Sequence, residues 1–160
     1  MSRELKILIS IVRSSSNSKD FINLTTQLDA DLHKRYGATQ LNYTQFNVIE
    51  SLDTAIISYL DDIPVGCGCF KRYDEDCVEI KRMFVKPENR GLGISKKILN
   101  ELEKWAFQIG FSKAILETGL NQPEAIGLYE KSGYLRIANY DQYIGMSNSI
   151  CFGKDLETKN

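Results

Sequence analysis

Residues 79–97, EIKRMFVKPENRGLGISKK, decide the fold predicted for this chain. The first part predicts a strand, and the last part begins a long helix in which apolar residues recur at helical spacing. The loop between them carries two glycines, which let the backbone approach a ligand closely, and it leads into a helix N-terminus with unpaired N–H groups. Arg90, Lys96 and Lys97 add positive charge. This turn is therefore predicted to bind a phosphate or pyrophosphate.

The segment before this loop predicts an antiparallel meander. Strands are predicted over Thr54–Leu60, Ile63–Lys71 and Cys77–Val85, joined by turns at Asp61-Asp62 and Tyr73–Asp76. Strands joined by such short turns pair with their neighbours in antiparallel orientation.

Helices and further strands flank the meander. Before it, the sequence predicts a strand over Leu5–Val12 and a helix that begins after Ser18 and ends at Gly37. After it, the predicted elements are a helix over Ile94–Ile109, a strand over Lys113–Glu117, a helix over Gln122–Ser132, and strands over Tyr134–Ala138 and Ser147–Lys154. A right-handed crossover through the long helix makes the strands on either side of it parallel. The chain is thus predicted to be one α+β domain over residues 1–160, with helices packed on one mixed sheet.

Composition narrows the class of protein. The chain has 160 residues, 20 basic and 21 acidic side chains and a net charge of −1, which argues against bulk binding to nucleic acid or to an anionic membrane. No apolar run approaches the length of a membrane span. The cysteines are Cys67, Cys69, Cys77 and Cys151. They form no Cys-x-x-Cys pair and the only histidine is His33, so we expect buried thiols of a cytoplasmic protein and no metal site.

Three kinds of phosphate-binding turn compete for the loop. A Walker-type loop needs Gly-Lys-Ser/Thr, which is missing here. A dinucleotide-binding loop needs a third glycine where Lys96 stands, and it usually follows a first parallel strand and not a meander. The third kind, a Gln/Arg-x-x-Gly-x-Gly/Ala turn, fits Arg90, Gly93 and, with one small substitution, Ser95.

With this turn and two further segments, the sequence resembles the GCN5-related N-acetyltransferase (GNAT) superfamily. Glu79–Val85 resembles the fourth strand of the family. The family's Ala-x-x-Leu-Tyr-x-x-x-Gly-Phe/Tyr segment is matched by Ala125, Leu128, Tyr129, Gly133 and Tyr134. Gln122 stands where the family often has Asn, and the N-terminal third, before Thr54, resembles the family only in its strand–helix order. The resemblance implies a three-layer fold with a central parallel pair of strands and helices on both faces of the sheet.

The resemblance also implies a reaction, the transfer of an acetyl group from acetyl-CoA to a primary amine by direct attack. The turn would hold the CoA pyrophosphate, and the pantetheine arm would pair with the exposed edge of Met83–Val85, where the N–H of Val85 would polarise the thioester carbonyl. The residues that the resemblance assigns to CoA are Met83, Phe84, Val85, Arg90, Gly91, Leu92, Gly93, Ile94, Ser95, Lys96, Gln122 and Tyr129. It implies no metal.

Two glutamates are candidates for the general base that takes a proton from the amine. Glu79 matches the position of the glutamate base in the family's histone-acetylating members, and it can also be explained as a strand residue paired with Lys81 or Arg82. Glu117, at the end of the fifth strand, is the rival base, or the residue that holds the substrate ammonium.

Tyr129 matches the family's general acid, which protonates the departing thiolate, and packing in the core is its other explanation. Weaker candidates for the wall of the acceptor pocket are Tyr36, Tyr143 and Tyr140. The predicted acceptor is a small-molecule amine or amino-acid-like metabolite. Acetylation of a protein N-terminus or lysine, and a non-catalytic CoA-binding sensor, are the alternatives. A homodimer through the C-terminal strands is common in the family.

Overall fold

The computed structural model describes residues 8–37 and 52–157. Its strands are β1 (Ile9–Ser14), β2 (Ala55–Leu60), β3 (Ile63–Arg72), β4 (Cys77–Val85), β5 (Lys113–Gly119), β6 (Leu135–Ile137) and β7 (Ser149–Asp155). Its helices are α1 (Lys19–Tyr36), α2 (Ile94–Gln108) and α3 (Pro123–Lys131). The described elements follow the predicted order. The start of the predicted first strand, residues 5–7, lies outside the described residues, and β1 continues to Ser14 instead of ending at Val12.

The strands form one sheet in the order β1-β2-β3-β4-β5-β7-β6. Strands β4 and β5 are parallel, and every other neighbouring pair is antiparallel. Tight turns explain the meander, because Asp61 and Asp62 adopt positive φ angles of 48° and 71°, which suit a two-residue hairpin turn. The predicted mixed sheet with a central parallel pair is confirmed.

Helices cover both faces of the sheet. On one face, α1 buries Phe21, Leu24 and Leu28 against the meander, and on the other face α2 and α3 pack over the larger core. Gly68 in β3 allows α2 to lie close, because a Cβ atom there would approach Cδ1 of Leu102 to 3.0 Å and Cγ2 of Ile98 to 3.1 Å. The four cysteines are free and buried, as predicted. Within the described part of the chain, no helix has the length and apolarity needed to cross a membrane.

A bulge and an early end of strand pairing open the middle of the sheet. In the β3–β4 ladder Cys67 pairs with Phe84 and Cys69 with Lys81, so β4 carries one extra residue at this point. Arg82 lies in this bulge with a φ of 60°. Parallel pairing of β4 with β5 ends at Glu79, whereas β5 continues to pair with β7 as far as Gly119. Beyond Glu79, therefore, β4 presents an edge without a β5 partner.

Candidate active site

Two cavities meet where β4 and β5 separate. The first, which we call the outer cleft, has a volume of about 470 Å³ and lies between the end of β4, the loop before α2, and α3. The second, which we call the inner pocket, has a volume of about 100 Å³ and is lined by residues of α1, β4, β5 and α3. Residues that line both cavities are Leu28, Met83, Gln122, Ala125 and Tyr129. The two cavities are therefore neighbours with a common wall.

The glycine loop forms one end of the outer cleft. Gly91 and Gly93 have φ angles of 84° and 76°, in the left-handed region that favours glycine, and Gly93 caps the N-terminus of α2. The N-terminus of α2 is therefore brought to the cleft, with Arg90 and Lys96 among the lining residues. This arrangement suits an anionic group, because the free N–H groups and the helix dipole favour negative charge.

The structure places all but one of the predicted CoA-binding residues at the outer cleft. Eleven of the twelve line the outer cleft, and Leu92 does not, with 44% of its surface exposed. Lys97, which adds charge to the same turn in the sequence, lines a separate groove on the other side of α2. Adjacent positions on a helix point about 100° apart, which separates Lys96 from Lys97.

The unpaired edge of β4 exposes backbone groups to the outer cleft. The N–H of Lys86 donates to the carbonyl of Val65, so the Lys86 N–H points toward β3. Because the backbone groups of successive residues point to opposite sides of a strand, the N–H and C=O of the preceding residue, Val85, point away from β3 and toward the gap. The Val85 carbonyl accepts a hydrogen bond of 3.1 Å from Nε of Arg90.

Glu79 is buried and already has several partners. Its carboxylate accepts a hydrogen bond of 2.6 Å from the hydroxyl of Tyr140. Its other oxygen lies 3.7 Å from Nζ of Lys71 and 3.6 Å from Nζ of Lys81. Glu79 is not among the residues that line either cavity.

Glu117 lines the inner pocket from β5. Burial raises the pKa of its carboxyl group to about 7, although a hydrogen bond of 2.6 Å from Oγ of Ser149 and the positive charge of Lys81 lower it. A carboxyl group with this pKa exists in both protonation states near neutral pH, which is the range in which a general base is effective.

Tyr129 forms part of the wall between the two cavities. It projects from α3 and is 4% exposed, with its ring in edge contact with Tyr134 at 5.7 Å and near Phe152 at 5.9 Å. Burial, and then the charge of Glu117, raise the pKa of Tyr129 well above the ordinary value of a phenol. The Tyr129 hydroxyl therefore holds its proton near neutral pH, as a general acid must.

The three remaining tyrosine candidates occupy different positions. Tyr36 lines the inner pocket, where its hydroxyl donates to the side-chain oxygen of Gln122 at 3.4 Å and accepts from the N–H of Asn121 at 3.1 Å. Tyr143 and Tyr140 pack against each other with ring centroids 5.5 Å apart, and neither is among the lining residues of the two cavities.

The inner pocket also contains two charged residues that were not predicted as site residues. Lys81 and Arg82 both line it, as does Asn148. Strand alternation alone would place Lys81 on the same face as Glu79, which is a usable signal. No comparable signal marks Arg82, because its direction depends on the bulge. Among residues 8–37 and 52–157, no group of three or more His, Cys, Asp or Glu side chains could hold a metal ion.

A mixed sheet with a gap between parallel strands, beside a glycine turn at a helix N-terminus, is the architecture of an acyl-CoA N-acyltransferase. A model of the acetyltransferase (GNAT) family matches residues 21–134, and the chain belongs to this family. It is therefore an acetyl-CoA-dependent N-acetyltransferase, and the predicted resemblance is confirmed.

The similarity of the chain to individual proteins is consistent with this family. An IAA acetyltransferase of Azospirillum brasilense is 31% identical over 128 residues, which are 79% of this chain and 84% of that protein. The chain spans about half the length of several other curated relatives that it matches. A provisionally named acyl-CoA N-acyltransferase of Klebsiella pneumoniae has a TM-score of 0.73 and 27% identity, covering 95% of this chain and 99% of that one. A GNAT family acetyltransferase of Elizabethkingia anophelis, solved with acetyl-CoA bound, has a TM-score of 0.66 and 16% identity, covering 92% and 98%.

Proposed function

We propose that the protein acetylates the primary amine of a small molecule or amino-acid-like metabolite, and that Glu117 and Tyr129 handle the protons. The observation that carries the proposal is that both residues line one pocket of about 100 Å³ next to the outer cleft. A pocket of this size admits the reacting end of a small acceptor, since whole-ligand sites are usually several times larger.

The outer cleft fits acetyl-CoA in three respects. The turn of Arg90–Lys96 provides helix N–H groups and positive charge for the pyrophosphate. The unpaired β4 edge at Met83–Val85 provides backbone groups for an extended arm that pairs as an added strand does. The Val85 N–H points into the gap, where it can donate to a carbonyl oxygen and favour attack on the carbonyl carbon.

Proton transfer then follows from the two residues of the inner pocket. An alkyl ammonium has a pKa of about 10.4, so freeing the amine near pH 7 costs about 4–5 kcal/mol. Glu117 takes this proton first, and the free amine nitrogen then bonds to the acetyl carbon of bound acetyl-CoA. The carbon–sulfur bond breaks as the Tyr129 hydroxyl gives its proton to the thiolate that leaves, and the second proton that the nitrogen loses restores the Tyr129 hydroxyl.

Glu79, the other candidate base, has a different proposed role. Tyr140 and two lysines already surround its carboxylate, and it lies outside the lining of the inner pocket. We assign it to holding Tyr140 and Lys81 in position.

The direct test is mass-spectrometric detection of an acetylated product. The protein is incubated with acetyl-CoA and a panel of amines, amino acids and short peptides, and we expect an acetylated small molecule. Acetylation of peptides alone would contradict the small-acceptor proposal. Tight binding of acetyl-CoA without any product would instead favour a CoA-binding sensor.

The phosphate-binding turn leads to a second prediction. Lys96→Gln should weaken CoA binding by about 5- to 10-fold, because one exposed charge near a phosphate contributes on the order of 1 kcal/mol. Pantetheine, which lacks the nucleotide, should bind the variant and the unchanged protein equally. Isothermal titration calorimetry with both ligands measures these affinities.

Lys97→Gln is the matched control, since Lys97 faces the groove on the other side of α2. We expect its CoA affinity to stay within about twofold of that of the unchanged protein, apart from long-range charge effects that salt screens. An equal loss of CoA affinity in both variants would mean that binding depends on the total positive charge at the N-terminus of α2 and not on the position of Lys96.

A further inference from the structure

The inner pocket contains two cationic side chains in addition to the groups that the reaction uses. Lys81 and Arg82 are consecutive residues of β4, and both line the pocket together with Glu117. In a regular strand two consecutive side chains would point to opposite faces. The bulge, with Arg82 at a φ of 60°, places both beside the same cavity.

Arg82 is only partly satisfied by the protein. Its Nη2 atom donates to the Thr25 carbonyl at 2.9 Å and lies 2.7 Å from the Asp29 carboxylate. Its Nε–H is buried and has no hydrogen-bond partner among the described residues. A buried donor that stays unpaired is costly, so a bound molecule that supplies an acceptor oxygen there would be favoured.

Lys81 adds a second positive charge beside this donor. Its side chain is 12% exposed, and its Nζ atom lies 3.6 Å from the carboxylate of Glu79. Among the residues that line the pocket, one is a carboxylate, Glu117, and two are cations, each with an acidic neighbour outside the lining, Glu79 for Lys81 and Asp29 for Arg82. A ligand with both charges would complement this lining.

We propose that the acceptor carries a carboxylate next to its amine, and that Lys81 and Arg82 bind this carboxylate while Glu117 faces the amine. The acceptor is then an amino acid or a closely similar zwitterion. This inference rests on the proposed function, and it identifies the substrate class and the two residues that select it. Lys81 and Arg82 are specificity-determining residues here and take no part in bond making.

The test compares each accepted amino acid with two analogues, its amide and its decarboxylated amine. The product is quantified by mass spectrometry, and kcat/KM is measured for each compound. We expect the amino acid to be preferred over both analogues by at least about 10-fold, because one charge-assisted contact is lost in each analogue. The assay is run at about pH 9, where Glu117 is ionised with or without the charge of Lys81 that lowers its pKa. There Lys81→Met should reduce kcat/KM for the amino acid by about 10- to 100-fold and for the amide by less than about threefold.

Arg82→Lys keeps the positive charge near Asp29 but removes the Nε–H, and it should cause the same selective loss for the amino acid. Lys71→Met is the matched control, because Lys71 also lies near Glu79 but is 41% exposed and does not line the pocket. We expect no change of selectivity in that variant. The ratio of the two kcat/KM values in one preparation does not depend on how much of the protein is folded.

The outcomes separate this inference from the function on which it rests. If the amide and the decarboxylated amine were acetylated as efficiently as the amino acid, the carboxylate site would be overturned. The acetyltransferase function would remain intact. An unchanged ratio in both Lys81→Met and Arg82→Lys would also overturn it. Absence of acetylation for every compound, with acetyl-CoA bound, would overturn the proposed function and this inference together.

Discussion

Glu117→Gln is expected to lower kcat/KM at pH 7.5 by about 100- to 1,000-fold, the range typical of the loss of a general base. The carboxyl group of Glu117 lines the inner pocket, and the amide of glutamine cannot take the proton of the ammonium. Acetylated product, measured by mass spectrometry with the accepted amine, provides the rates.

The pH dependence gives a sharper signature of the same residue. Because burial raises the pKa of Glu117 to about 7, the group is protonated and inactive below that pH. We therefore expect kcat/KM to fall by about 10-fold for each pH unit below pH 7. Above about pH 7, ionisation of Glu117 no longer limits the rate, and kcat/KM should level off. Glu117→Gln should lose this acidic limb.

Glu79→Gln is the matched control, an equal change on the neighbouring strand outside the pocket lining. We expect a smaller loss of activity and an acidic limb that remains but moves to lower pH, because the charge of Glu79 also raises the pKa of Glu117. If Glu79→Gln removed the limb and Glu117→Gln retained it, Glu79 would be the base.

Glu117→Gln should also affect the stability of the protein in a predictable direction. The pKa of Glu117 in the folded protein, about 7, lies above the usual value of 4.5, so the folded state binds a proton that the unfolded state releases. The contribution of Glu117 to the free energy of unfolding therefore decreases as pH rises from about 4.5 to about 7. Glu117→Gln avoids this loss, and the stability of the variant relative to the unchanged protein should be about 3 kcal/mol greater at pH 8 than at pH 4.5. Urea denaturation at the two pH values measures the difference.

Tyr129→Phe is expected to lower kcat by about 100-fold and to leave acetyl-CoA affinity within about threefold. The Tyr129 hydroxyl makes no hydrogen bond to another described residue, and it carries its proton near neutral pH because burial raises its pKa. Phenylalanine retains the ring that packs on Tyr134 and Phe152 and removes only the proton donor.

Tyr134→Phe is the control for this prediction. It also removes one buried phenol hydroxyl, which donates to Glu103 at 2.8 Å, but Tyr134 lines neither cavity. We expect a loss of stability of about 1–2 kcal/mol, because Glu103 loses a hydrogen bond, and little change in kcat. Equal loss of kcat in the two variants would show that the effect comes from removing any buried hydroxyl in this part of the core, and not from a proton donor at the thiolate.

Features that depend on neighbouring residues in the chain were predictable. The meander follows from turn residues such as Asp61 and Asp62 and from short apolar runs, which act over a few positions. The glycine turn before α2 is also local, since Gly91 and Gly93 provide the positive φ angles and the helix begins at once. The predicted α2 ends within a residue of the observed one, at Gln108.

The sequence by itself determined the order of strands and helices, the parallel crossover and the place of the phosphate-binding turn, because each depends on local spacing and chain connection. Only the tertiary structure decided where β4 and β5 separate, and which of Glu79 and Glu117 borders the inner pocket. It also placed Lys81 and Arg82 on the same cavity. These features lie where the β4 bulge, the end of β4–β5 pairing and the three helices come together. They depend on contacts between residues far apart in the chain, and such contacts cannot be deduced from any short stretch of sequence.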